Sequence, residues 1–143
     1  MGVSADWHNQ EQTIICYRFD SRWEWDEFYP CREWVSQAMA SVDHKVALIT
    51  DMSTTRHIPP NSMVHLRAVV LRNNPNYAGV TVMVGTGSIG PSVSAILYKL
   101  NPALHDKFQV LFAQTLEEAE RLLDDWQRQQ AEKVNLHDDD PRH

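Results

Sequence analysis

The sequence predicts a single α/β domain on a small, mostly parallel sheet, in the order β(β)αβαβαβα. Three observations carry this. Short apolar runs alternate along the chain with stretches of helical spacing. Residues 45–51 (KVALITD) and 79–84 (GVTVMV) are near-continuous apolar runs, as strands covered on both faces are. Pro, Gly and Asn punctuate the junctions. Such alternation gives a parallel sheet with right-handed crossovers, and partners or ligands meet it at the loops after the strand C-termini. Those loops are residues 51–62, 85–90 and Gln114.

Each element has a local reason. Residues 13–19 (TIICYRF) are β-branched and aromatic, hence a strand. Residues 3–8 can pair with them through 9–12 as an antiparallel edge hairpin. From Asp26 the period turns helical, with Phe28, Cys31, Val35, Ala38, Met39 and Val42 on one face. Pro30 falls early in this helix, where a missing N–H costs least. After strand 45–51, Pro59 and Pro60 end a loop. Ser62 then stands as N-cap of a helix to Arg72, with Met63, Leu66, Val69 and Val70 inward. Asn73-Asn74-Pro75-Asn76 breaks the chain before strand 79–84. Pro91 marks the first helical position of the next helix, with Val93, Ile96, Leu97 and Leu100 as its core face. Asn101-Pro102 ends it. Residues 108–113 (FQVLFA) form the last strand. Thr115-Leu116-Glu117-Glu118 has capping-box spacing. The stripe Leu116, Ala119, Leu122, Leu123 and Trp126 then runs to about Gln130.

The chain has 143 residues, 43% of them apolar, with 13 Lys and Arg against 19 Asp and Glu. That length supports one core without disulfides or structural metal. The formal charge of -6 opposes nucleic-acid binding, which needs a basic face. Residues 1–130 read as the domain and 131–143 as an acidic, disordered tail. Its His137, Asp138, Asp139, Asp140 and His143 lie on no rigid element that would fix a metal. Cys16 and Cys31 form no CxxC pair, and the start has no apolar signal segment. No stretch reaches the roughly 20 apolar residues of a membrane span. A cytoplasmic protein with free thiols and no cofactor is expected.

Gly85-Thr86-Gly87-Ser88-Ile89-Gly90 spells GxGxxG between a strand and a helix. It lies late in the chain, Pro91 follows directly, and the next strand ends in Ala113-Gln114 with no acid for a ribose. A small anion on this loop suits it better than a dinucleotide. Asp51, Ser53, His57 and Ser62 near one strand end allow a hydrolase to be imagined, but no nucleophile elbow is present. Trp23, Trp25 and Trp34 crowd the first helix and cannot easily all point inward, so one of them is expected at an interface.

Leu48-Ile49-Thr50-Asp51-Met52-Ser53, then a short loop and Asn61-Ser62, resembles the STAS family of anti-sigma-factor antagonists and their relatives. Trp23-Glu24-Trp25-Asp26-Glu27-Phe28, Leu100-Asn101-Pro102 and Thr115-Leu116-Glu117-Glu118-Ala119 are similar to a branch of small uncharacterised bacterial members. The resemblance spans about residues 12–130 and rests on order and spacing. It implies a STAS-like fold and a non-enzymatic regulatory or protein-interaction module, bacterial and cytoplasmic, with a protein partner or self-association. In antagonists the matching serine, here Ser62, is phosphorylated, and a helix N-terminus receives phosphate well. Asn61 stands where that family has Asp, and Met63-Val64 where it has Ser-Gly. The working loops would include Asp51, Ser53, Arg56, His57, Gly85, Thr86, Gly87 and Ser88. The wider fold includes lipid-binding CRAL-TRIO domains, so a small-molecule binder for a lipid-like ligand or nucleotide is the alternative reading. A hydrolase is the third.

Overall fold

The structure, a computed structural model, describes residues 2–62, 64, 65, 74–87, 89–100 and 109–138. Its elements are β1 (Val3–Trp7), β2 (Ile14–Phe19), α1 (Trp25–Ala40), β3 (Val46–Asp51), β4 (Tyr77–Val84), α2 (Ile89–Leu100), β5 (Gln109–Ala113) and α3 (Leu116–Asp138). The five strands lie in sequential order. β1 is antiparallel to β2, and the remaining neighbours are parallel. The expected α/β sheet with an antiparallel edge hairpin is thus present. Most of the helix expected over 62–72 lies outside the described residues, as do Asn101, Pro102 and the end of the tail from 139.

Strand alternation splits the core in two. Ile15, Tyr17, Phe19 and Val46 face α1, where they meet Phe28, Val35, Ala38 and Met39. Ile14, Cys16, Ala47, Ile49, Val80, Val82, Val84 and Ala113 face the other way and meet Ala119 and Leu123 of α3. A sheet that grows in one direction by right-handed crossovers puts its crossover helices on one face. Accordingly Gly90 of α2 packs close to Phe112, on the same side as α1. α3 follows the last strand, makes no crossover, and covers the opposite face. His8 Nε2 meets Glu120 Oε1 at 2.8 Å, tying α3 to the hairpin.

Both sheet edges are blunted. His8 N–H donates to Ile14 O and Asp20 N–H to Gly2 O, so Val3, Ala5 and Trp7 turn their backbone groups outward. The Trp7 N–H is taken by Asp6 Oδ1 at 2.8 Å, and the Cys31 thiol donates to Val3 O at 3.2 Å. At the far edge Tyr98 of α2 hydrogen-bonds the backbone of Val110. Side-chain caps of this kind discourage edge-to-edge pairing.

Two helix ends differ from the sequence reading. α2 begins at Ile89, ahead of Pro91, which is still in the first turn where its missing N–H costs nothing. α3 continues to Asp138 instead of stopping near Gln130. Ala131, Glu132, Lys133 and Leu136 are good helix formers, and no Gly or Pro interrupts before Pro141.

The aromatic end of the core is dense. Trp23 meets Phe19 and Trp25 edge-on, with centroids 4.7 and 4.9 Å apart. Among the described residues the indole N–H groups of Trp23 and Trp25 are buried without an acceptor. Both rings pack inside the aromatic cluster, Trp25 also edge-on to Phe28. Trp25→Ala should therefore cost about 3–5 kcal/mol. Trp25→Phe should cost only about 1–2 kcal/mol, because no hydrogen bond is lost. Urea titration of both variants checks this, and equal losses would contradict it.

Burial pushes the Cys16 thiol up from 9.0 to about 11, outweighing the nearby Arg18. The unfolded thiol ionises first, so the stability linked to Cys16 is full below pH 9 and is lost as pH rises toward 11. The melting temperature of Cys16→Val should fall less between about pH 8.5 and 11 than that of the parent. Parallel curves would contradict this.

Candidate functional site

Where the parallel strands end, their loops are laced side by side. Asp51 closes β3. Its Oδ1 accepts from the Ser53 N–H at 3.0 Å and the Ser53 hydroxyl at 2.6 Å, a turn that aspartate favours. The sheet ladder carries on past the strands. Met52 N–H donates to Val84 O at 2.9 Å and Gly85 N–H to Ala113 O at 3.0 Å. The hydroxyls of Thr54 and Thr55 donate to Phe19 O at 3.1 and 3.2 Å. Arg56 N–H donates to Ser21 O at 3.0 Å. The ends of β2, β3, β4 and β5 thus form one braced edge.

Gly85 makes this edge possible. Its φ is +78°, and a Cβ there would lie 2.9 Å from the Ser53 nitrogen and closer still to Ser53 Cα. Gly90 has a different reason, since a Cβ would collide with the Thr86 side chain and Phe112. Gly87, at φ +57°, faces open space. Two of the three glycines of GxGxxG are therefore accounted for by the protein's own packing.

A shallow open cleft of about 460 Å³ lies on the α3 side of this edge, lined by Asp51, Ser53, Val84, Gln114, Thr115, Leu116 and Glu117. Val84 is buried and Leu116 half-buried, so the floor is apolar. The α3 N-terminus is already capped. Glu118 N–H donates to Thr115 Oγ1 at 3.1 Å, as the capping-box spacing predicts. The Glu118 carboxylate reaches back one residue further than expected, accepting from Gln114 N–H at 3.3 Å.

Of the sequence-predicted site residues, Asp51 and Ser53 meet in the cleft. Arg56 and His57 are exposed beyond its lining. Asp51 bonds Ser53 and not His57, so the imagined Ser–His–Asp set is not brought together among the described residues. Thr86 is half-buried against Gly90, and Ser88 lies outside the described residues. Ser62 is not the N-cap. Asn61, at φ +63°, accepts from His65 N–H at 3.3 Å and takes that place. The Ser62 hydroxyl, half-buried, donates instead to Pro59 O at 2.6 Å. The two prolines bend the approach so that the serine faces back toward the loop.

Sequence reasoning missed Thr115 and Glu117 as cleft residues. Their signal was a capping box placed directly after Gln114, at the same sheet end. His65, which carries no site signal in the sequence, stacks its ring on Trp25 at 4.6 Å and shares a 2.6 Å hydrogen bond with Tyr29 Oη. Among the described residues no group of three or more His, Cys, Asp or Glu could hold a metal, and no helix is long and apolar enough to cross a membrane.

No protein-family model, curated protein or solved structure matches this chain.

The bracing makes a sharp prediction. Gly85→Ala should destabilise by about 2–4 kcal/mol, combining positive φ with a backbone collision. Gly87→Ala, with the same sign of φ but open space, should cost only about 1 kcal/mol. Thermal unfolding of the two variants compares them, and equal costs would contradict the close approach.

Proposed function

We propose that this chain is a non-enzymatic regulatory or protein-interaction module of STAS-like type, working through loops 51–62 and 85–90. One observation carries the reading. The ends of four consecutive strands are tied together by main-chain bonds into a shallow, open edge. A surface held in register before binding loses little entropy on association, which suits a partner's surface. The sequential strand order and the resemblance in residues 12–130 support the same reading.

The volume of the cleft, about 460 Å³, falls within the roughly 300–1,000 Å³ of small-molecule sites. That favours a ligand-binding domain as the second reading. Its openness to solvent speaks for a protein partner, because a drug-sized ligand would be only partly covered.

Site-specific photo-crosslinking in source-cell extract tests the module. A photoreactive residue at Arg56 should give a discrete adduct, while one at the exposed Asp43, near the opposite sheet end, should not. Adducts from Asp43 alone, or equally from both, would overturn the reading.

Trp23 and Trp25 are 2% and 8% exposed, whereas Trp34 is 39% exposed. Trp34 is therefore the tryptophan available to an interface. If it covers a second copy, light scattering shows a dimer at tens of micromolar that Trp34→Gln converts to monomer. A monomer in both samples would remove self-association over this face.

A further inference from the structure

We propose that the cleft beside α3 takes one cationic side chain, arginine or lysine, from the partner. This rests on the protein-interaction reading and names the chemistry of its contact. Charge complementarity over an apolar floor supports it. Asp51 and Glu117 both line it, together with Ser53, Gln114 and Thr115. Among the described residues no lysine or arginine lines the cleft. Asp51 spends Oδ1 on Ser53, which fixes the carboxylate plane and leaves Oδ2 without a hydrogen bond or ion pair among the described residues. Glu117 has no ion pair there either. The apolar stem of an arginine or lysine would lie on the half-buried Leu116, with its head toward the two carboxylates.

The surroundings select against an anion. The helix N-terminus, which would attract one, carries Glu117 and Glu118 in its own first turn, and its Glu118 N–H is taken by Thr115 Oγ1. Arg18 neighbours Asp51 across the sheet on the same face, and Arg121 lies one turn beyond Glu117. Both are exposed, and neither forms an ion pair with the cleft carboxylates among the described residues. An incoming cation therefore meets carboxylates that form no ion pair among the described residues.

The test needs no partner. The ¹⁵N-labelled protein is titrated with the tripeptides acetyl-Gly-Arg-Gly-amide and acetyl-Gly-Lys-Gly-amide at low salt. The citrulline tripeptide is the uncharged twin. A single ion-paired side chain should bind with a dissociation constant on the order of millimolar, weakening with added salt. Saturable shifts of the amides of Asp51, Ser53, Gly85 and Thr115–Glu118, given by either basic peptide and absent with citrulline, support the proposal. The double variant Asp51→Asn, Glu117→Gln should bind about fivefold more weakly or not at all. The amide oxygen that Asp51→Asn introduces still accepts from Ser53, and Glu117 occupies an exposed helix position, so both changes leave the fold in place. Unchanged affinity in the double variant, equal shifts with citrulline, or shifts scattered over the acidic surface would overturn it. Failure here with a crosslink still formed at Arg56 would leave the interaction module standing and remove only the cation.

Discussion

Burial of β3 on both faces is the constraint on which the structure depends. Val46 and Ile49 are completely buried on opposite sides, one beneath α1 and the other beneath α3. A strand covered twice must find all its main-chain partners within the sheet. It does so by pairing with β2 on one side and β4 on the other. Its C-terminus is then fixed at the middle of the sheet, and Asp51 with it. The candidate site follows from that position.

The same constraint explains the glycine loop. With β3 and β4 in register, the chain leaving Val84 runs directly over the turn at Ser53. Only a residue without Cβ fits there. The GxGxxG pattern at 85–90 is thus set largely by contact between neighbouring crossovers. A motif whose letters match a nucleotide fingerprint here serves the packing of the sheet end.

Much of this architecture was legible in the residues. The apolar runs at 45–51 and 79–84, the hairpin and the helix stripes of α1 and α3 are strong local signals of period and composition. Local signals failed where distant groups decide. Ser62 reads as an N-cap, yet Pro59 offers its carbonyl and Asn61 tolerates positive φ, so the cap shifts by one residue. Nothing in the sequence says that His65 stacks on Trp25, because the two are 40 residues apart and meet only through the fold. Asp51 was visible as a strand-end acid. Glu117 stood only inside a capping-box spacing, and the placement of α3 is what brings the two carboxylates to one cleft.

The central claim is that the strand-end edge is braced before any partner arrives. Amide hydrogen exchange of the free protein measures this directly, residue by residue. Met52, Arg56 and Gly85 should exchange slowly, with protection comparable to that of Ile49 and Val82 inside the sheet. Their N–H groups are bonded across to Val84, Ser21 and Ala113. Rapid exchange at Met52 and Gly85, with the strands still protected, would mean that the edge is loose in solution and would contradict the claim.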